Sequence, residues 1–167
     1  IGVATMSDIW AVIPVKEFDG AKDRLSGLLS PHERRILAET MLTDVLDAVA
    51  GSRLLAGVMI VTLDPDATAL GKKFGARIVT EGARDGHTGS VNAGRRLLPG
   101  DIPATRAGEI DAVLSAHLAA PSFTISPAHD DLGSNAVVCS PPESVPLRFG
   151  DNSYFPHLDA ARLQGIE

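Results

Sequence analysis

Three basic side chains, Lys16, Lys22 and Arg24, fall in the single stretch Pro14-Val15-Lys16-Glu17-Phe18-Asp19-Gly20-Ala21-Lys22-Asp23-Arg24-Leu25. Such a cluster is what a polyphosphate needs in a chain that is otherwise acidic, because ammonium and guanidinium groups neutralise and bind phosphate oxygens. A solvated basic patch is the competing reading. A second segment, Glu81 to Gly94, carries Gly82, Gly86, Gly89, Ser90, Asn92 and Gly94. Small residues let backbone N–H groups approach a nucleotide, and the Asn92 amide can both donate to and accept from a base edge. In Pro99-Gly100-Asp101-Ile102-Pro103, Asp101 has the hard oxygen donors that Mg²⁺ prefers, or else makes an ordinary turn. Ser134 and the segment Gly150 to Ser153 offer hydroxyl and backbone donors to a second anion.

Five other residues invite chemistry less. His87, His129 and the pair Asp130-Asp131 lack the regular spacing of a zinc site and read as loop residues. The lone Cys139 sits in Ala136-Val137-Val138-Cys139 and reads as a small buried hydrophobe.

Positioning these loops requires strands that end beside them. Ile9 to Val15 and Gly57 to Leu63 are short apolar runs rich in β-branched residues, the pattern of strands buried on both faces of a parallel sheet. Ala76 to Thr80, Ser122 to Ser126 and Ala136 to Cys139 read as further strands. Ser30-Pro31-His32-Glu33 combines an N-cap, a proline at the first helical position and an acid three residues after the cap. The helix expected there has apolar positions Ile36, Leu37, Met41, Leu42, Val45, Leu46 and Val49, with Gly51 as its stop. Asp64-Pro65-Asp66 opens a shorter helix ending near Phe74-Gly75, and Ser153 to Leu163 forms a last one. Alternating strand and helix predicts one open α/β sheet, in which ligands bind beyond the carboxyl ends of the strands.

With 167 residues, the chain is long enough to bury roughly 70% of its unfolded surface without disulfides or structural metal. A balance of 21 acidic to 15 basic residues, net charge −6, argues against nucleic acid or an anionic membrane as partner. Neither main apolar run approaches the roughly 18 residues of a membrane span, and Ile1 to Thr5 does not read as a signal peptide. A cytoplasmic protein with one domain over residues 6–167 is expected.

Taken in order, Ile13-Pro14-Val15-Lys16 with Ala21-Lys22-Asp23-Arg24-Leu25, Gly89 to Asn92, Pro99 to Pro103, Gly133-Ser134-Asn135-Ala136, and Arg148-Phe149-Gly150 with Ser153 resemble the CofC/FbiD-type guanylyltransferases. The resemblance runs from about Ile9 to Ile166. It implies a Rossmann-like, mostly parallel sheet of the nucleotide-diphospho-sugar transferase type. The implied reaction moves GMP from GTP to 2-phospho-L-lactate, phosphoenolpyruvate or 3-phospho-D-glycerate and releases pyrophosphate, in coenzyme F(420) biosynthesis. Lys16, Lys22 and Arg24 would hold the triphosphate, Lys16 with Gly89, Ser90 and Asn92 the nucleotide, and Asp101 the Mg²⁺. Ser134, Gly150 and Ser153 would line the phospho-acid site, with Ser134 standing where the family has Thr.

Two departures from the family pattern stand out. Arg95-Arg96-Leu97-Leu98 runs straight into Pro99, so the strand that should present Asp101 is expected to be missing. The final strand and a second metal carboxylate have no counterpart before Glu167. The competing readings are a molybdopterin or sugar-phosphate nucleotidyltransferase, which usually carries more glycine after the first strand, and a GTP-binding protein without catalysis. Neither the acceptor nor the oligomeric state follows from the sequence.

Overall fold

The computed structural model describes residues 9–80, 83, 96–97, 105–147, 149 and 152–166. Its first strand, β1 (Trp10–Pro14), pairs in parallel with β2 (Gly57–Val61), and β2 pairs in parallel with β3 (Arg77–Val79). On the other side of β1 lies β4 (Arg96–Leu97), followed by the antiparallel strands β6 (Ser134–Ser140) and β5 (Ser122–Pro127). The described strands form one sheet in the order β3-β2-β1-β4-β6-β5. Strand order therefore runs outward from β1 to β3 and starts afresh with β4 on β1's other side. Such a reversal opens a crevice at the strand ends.

Side-chain alternation along the strands explains how the sheet buries both faces. Ala11 and Ile13 of β1, with Val58 and Ile60 of β2, pack into one cluster with Leu42, Val45, Leu46 and Val49 of α1 (Pro31–Gly51). The same cluster takes Ala67 and Leu70 of α2 (Pro65–Lys73), and Ile110 and Leu114 of α3 (Ala107–Ser115). Val12, Met59, Val61, Val137 and Cys139 form the opposite cluster with Val145, Leu147 and Ala161, the last from α4 (Tyr154–Leu163). Burying each such aliphatic side chain contributes about 1.5–3 kcal/mol. Cys139 is thus the buried small hydrophobe that its sequence context suggests.

Local signals set the helix boundaries. Ser30 Oγ accepts from the Glu33 N–H while Glu33 Oε2 accepts from the Ser30 N–H at 2.8 Å, the reciprocal cap that opens α1. The Ser30 hydroxyl also donates to Glu33, which holds that carboxyl below its usual value. Two details of α1 differ from expectation. Ile36 is 49% exposed, because the buried stripe follows Leu42, Val45, Leu46 and Val49 and Ile36 lies off it. Gly51 does not stop the helix but is its last residue, and a Cβ there would lie 3.0 Å from Ala107 Cβ. Its lack of a side chain lets α1 approach α3, and extended Ser52 makes the end.

The short strand β4 corrects the expectation of a missing strand before Pro99. Leu97 pairs with Val12 of β1 on one side and Val137 of β6 on the other. Two residues suffice here because both flanking strands supply ladder partners. They are too few to leave the run of β-branched residues that betrays a strand in sequence. Helix α3 was likewise not expected, although Glu109 accepts from the Arg106 N–H at 2.8 Å and Ile110 and Leu114 share one face. Among the described residues, no helix is long and apolar enough to cross a membrane.

Candidate active site

The register fixes which strand ends lie side by side. Val12, Leu97 and Val137 lie in one row across β1, β4 and β6. Chain direction then carries β1 toward Lys16, β4 toward the loop after Leu97, and β6, which runs the other way, back toward Ser134. All three reach the same edge of the sheet. Neighbouring strand axes are about 4.8 Å apart, which puts β1 and β6 about 10 Å apart. The edge thus holds the basic loop at one end and Ser134 at the other.

Behind the basic loop stands a buried carboxylate that the sequence reading did not single out. Asp64, only 4% exposed at the end of β2, accepts from the backbone N–H of Phe18 through Oδ2 at 2.8 Å. Its Oδ1 accepts from the N–H groups of Asp66 and Ala67, both at 2.8 Å, and so caps α2. One side chain therefore joins the loop after β1 to the loop after β2. Phe18 itself is buried in the core, so the loop is pinned by an apolar plug as well as a hydrogen bond.

Two arginines of α1 hold the rest of the loop. Arg34 is buried, and its Nε and Nη1 donate to the carbonyls of Ala21 (3.2 Å) and Leu29 (3.0 Å), with Nη2 3.6 Å from Asp23. Arg35 bridges Asp19 and Asp66. Around these anchors Lys16 and Arg24 are exposed and Lys22 is half-buried. Lys22 precedes a 3-10 turn (Asp23–Leu25) with φ +56°, a left-handed backbone that side chains other than glycine seldom adopt. The structure thus brings the three predicted basic residues together on one clamped loop.

The other end of the edge is built differently. Ser134 and Ser153, far apart in sequence, are both buried, and the Ser153 hydroxyl donates to Ser134 Oγ at 3.0 Å. Ser153 stands at the N-cap of α4 without capping it, its hydroxyl being directed at Ser134 instead. Ser134 Oγ lies 3.0 Å from Nδ1 of His157, a fully buried side chain one helical turn into α4. Phe149 meets the imidazole edge-on at 5.0 Å, and Phe123 packs at 6.3 Å. Burial pushes the His157 pKa below its ordinary value, favouring the neutral ring. A further bond, from the Tyr154 N–H to the Leu132 carbonyl at 2.9 Å, ties the start of α4 to the loop before β6.

Gly89, Ser90, Asn92, Asp101 and Gly150 lie outside the described residues, as do Arg148 and His87. Asp130 accepts from the Leu132 N–H at 3.0 Å, which lowers its pKa and makes it a turn residue, as its context suggested. Among the described residues, no group of three or more His, Cys, Asp or Glu gathers to hold a metal. His117, also absent from the sequence reading, contacts Thr124 and Ser140 at 2.9 and 2.8 Å. It secures the β5–β6 pair near the edge opposite the candidate site.

Comparison with known proteins shows the family and the fold. The chain is 34% identical to the phosphoenolpyruvate guanylyltransferase of Rubrobacter xylanophilus over 95% of its own length and 82% of that protein's. It is 32% identical to the 2-phospho-L-lactate guanylyltransferase of Methanothermobacter thermautotrophicus, covering 93% of this chain and 72% of the relative. Among solved structures, a Desulfovibrio desulfuricans G20 protein named for nucleotide-diphospho-sugar transfer superposes with a TM-score of 0.66. The match covers 96% of this chain and 78% of that one, at 20% identity, and shows the same fold. The profile of the CofC-like guanylyl transferases matches residues 9–167, and the chain belongs to that family.

Proposed function

We propose that this protein transfers the guanylyl group of GTP to the phosphate of a small phospho-acid, of the class phosphoenolpyruvate, 2-phospho-L-lactate or 3-phospho-D-glycerate. The product belongs to the biosynthesis of coenzyme F(420). The observation that carries this reading is the sheet register, which sets a clamped basic loop and a buried pair of hydroxyls at one strand edge. In the transfer, an oxygen of the acceptor phosphate attacks the α-phosphorus of GTP. The bond from that phosphorus to the bridging oxygen breaks, and pyrophosphate leaves with the electron pair. Anion attacks anion, so the site must neutralise charge and align the two reactants.

Lys16, Lys22 and Arg24 take the triphosphate and stabilise the charge that grows on departing pyrophosphate. The anchors Asp64, Arg34 and Arg35 spare these side chains the cost of ordering the loop under them. Gly89, Ser90 and Asn92 hold the nucleotide, and Ser134, Gly150 and Ser153 receive the phospho-acid. Mg²⁺ belongs to the proposal through Asp101, whose carboxylate would hold it; when bound, it would neutralise phosphate charge. Asp64 acts here as the loop's anchor, its two oxygens accepting three backbone N–H groups. GTP, the phospho-acid and a cytoplasmic setting complete the reading.

The test is pyrophosphate release from GTP with each of the three acceptors, alongside ATP and CTP and the phosphates of sugars and molybdopterin. Release that requires both GTP and one phospho-acid is expected. Release with a sugar phosphate or molybdopterin would transfer the protein to that class. GTP binding without release under any condition would make it a binding protein.

A further inference from the structure

Resting on the reading of Ser134 and Ser153 as the acceptor end, we propose that His157 is a positioning residue for that end, its Nδ1–H donating to Ser134 so that the Ser134 hydrogen is left for the phospho-acid. The argument is one of counting hydrogens. A serine oxygen has one hydrogen and two lone pairs. The Ser153 hydroxyl already donates to Ser134 Oγ at 3.0 Å, and His157 Nδ1 lies 3.0 Å from the same oxygen. If the ring carried its proton on Nε2 alone, Nδ1 could only accept, and the Ser134 hydrogen would be spent on it. If the proton sits on Nδ1, Ser134 accepts twice and its own hydrogen is directed elsewhere. This tautomer allows Ser134 to donate to an anion while both observed contacts persist.

The surroundings suit a residue that orients rather than reacts. His157 is 1% exposed, wedged against Phe123 and Phe149, and reaches the edge through Ser134. Its place on α4, one turn beyond Ser153, couples the two serines and the ring into one unit. Ser153, freed from capping duty, is the second hydroxyl of that unit.

The test pairs kinetics with a spectroscopic readout. In the wild-type protein, ¹⁵N NMR of labelled imidazole should show a neutral His157 ring protonated at Nδ1. His157→Phe should raise KM for the phospho-acid about tenfold, the loss of one hydrogen bond's worth of binding, with KM for GTP within twofold of wild type. His157→Asn, whose amide N–H can take the place of Nδ1–H, should restore most of it, whereas His157→Gln should not. The Asn and Gln pair decides the matter should the Phe variant fail to fold. An Nε2–H ring, or an unchanged acceptor KM in the Phe and Gln variants while Ser134→Ala and Ser153→Ala raise it, overturns the role of His157 and leaves the site reading standing. Should Ser134→Ala and Ser153→Ala leave the acceptor KM unchanged, the site reading itself fails, and this proposal with it.

Discussion

The two ends of the strand edge solve opposite problems. At the β1 end the groups proposed to bind GTP are charged and lie at the surface, while the polar atoms that fix their loop, on Asp64 and Arg34, are buried and bonded to backbone. At the β6 end the hydroxyls proposed to receive the acceptor are themselves buried, and the His157 imidazole, whose pKa burial lowers, lies against Ser134. Cations kept in water bear little desolvation penalty, so the protein can gather three of them and fix only the loop beneath. Hydroxyls carry no charge, bury cheaply when bonded, and can be aimed at a ligand with well-defined geometry. On the proposed function, the first end supplies binding energy for a polyanion and the second supplies discrimination.

Removing the anchor of the first end should have the largest effect. Asp64→Ala leaves the Phe18, Asp66 and Ala67 N–H groups without their acceptor and removes the cap of α2. Loss of a cap costs about 1 kcal/mol, and stranded buried donors cost about 1–3 kcal/mol each before water repairs some of them. A destabilisation of roughly 3 kcal/mol is expected in urea unfolding, with a raised KM for GTP. A variant as stable as the wild type would show that the loop is not held from β2.

The second end should reveal itself through pH. Because burial lowers the His157 pKa, the unfolded chain binds more protons than the folded one once pH falls below the ordinary histidine value of 6.5. Stability should therefore be full above that value and decline as pH drops below it, until the ring protonates in the folded state too. Urea midpoints measured from pH 8 to 5 should show this decline, and His157→Asn should flatten it. An identical decline in the Asn variant would assign it to other groups.

A smaller effect separates charge from backbone at the first end. Lys22 holds a left-handed conformation that costs a non-glycine residue about 1 kcal/mol. Lys22→Gly should fold with equal or slightly greater stability, within about 1 kcal/mol, yet raise the KM for GTP. Lys22→Ala should lose in both respects. If glycine restored GTP affinity, the backbone and not the ammonium would be the functional element.

The sequence made some of this legible and hid the rest for physical reasons. Apolar β-branched runs announced β1 and β2, and Ser30-Pro31-His32-Glu33 announced α1, because those signals are local. Two-residue β4 had no run to display, since its pairing is supplied entirely by its neighbours. The cluster of Lys16, Lys22 and Arg24 could be read directly, being contiguous in the chain. Asp64 looked like a helix cap and is one; its bond to Phe18, 46 residues away, depends on β1 and β2 lying side by side. His157 gave no signal beyond its place in an amphipathic helix, because its partner Ser134 is brought to it only by the fold.

The division of labour along the edge is tested most directly by steady-state kinetics with GTP and the phospho-acid varied in turn for two variants. Lys16→Ala should raise KM for GTP by about tenfold or more and change that for the acceptor little, as expected for removal of one charged phosphate contact. Ser134→Ala should do the reverse. Equal changes in both constants for both variants, or no change in either, would contradict a site with a nucleotide end at β1 and an acceptor end at β6.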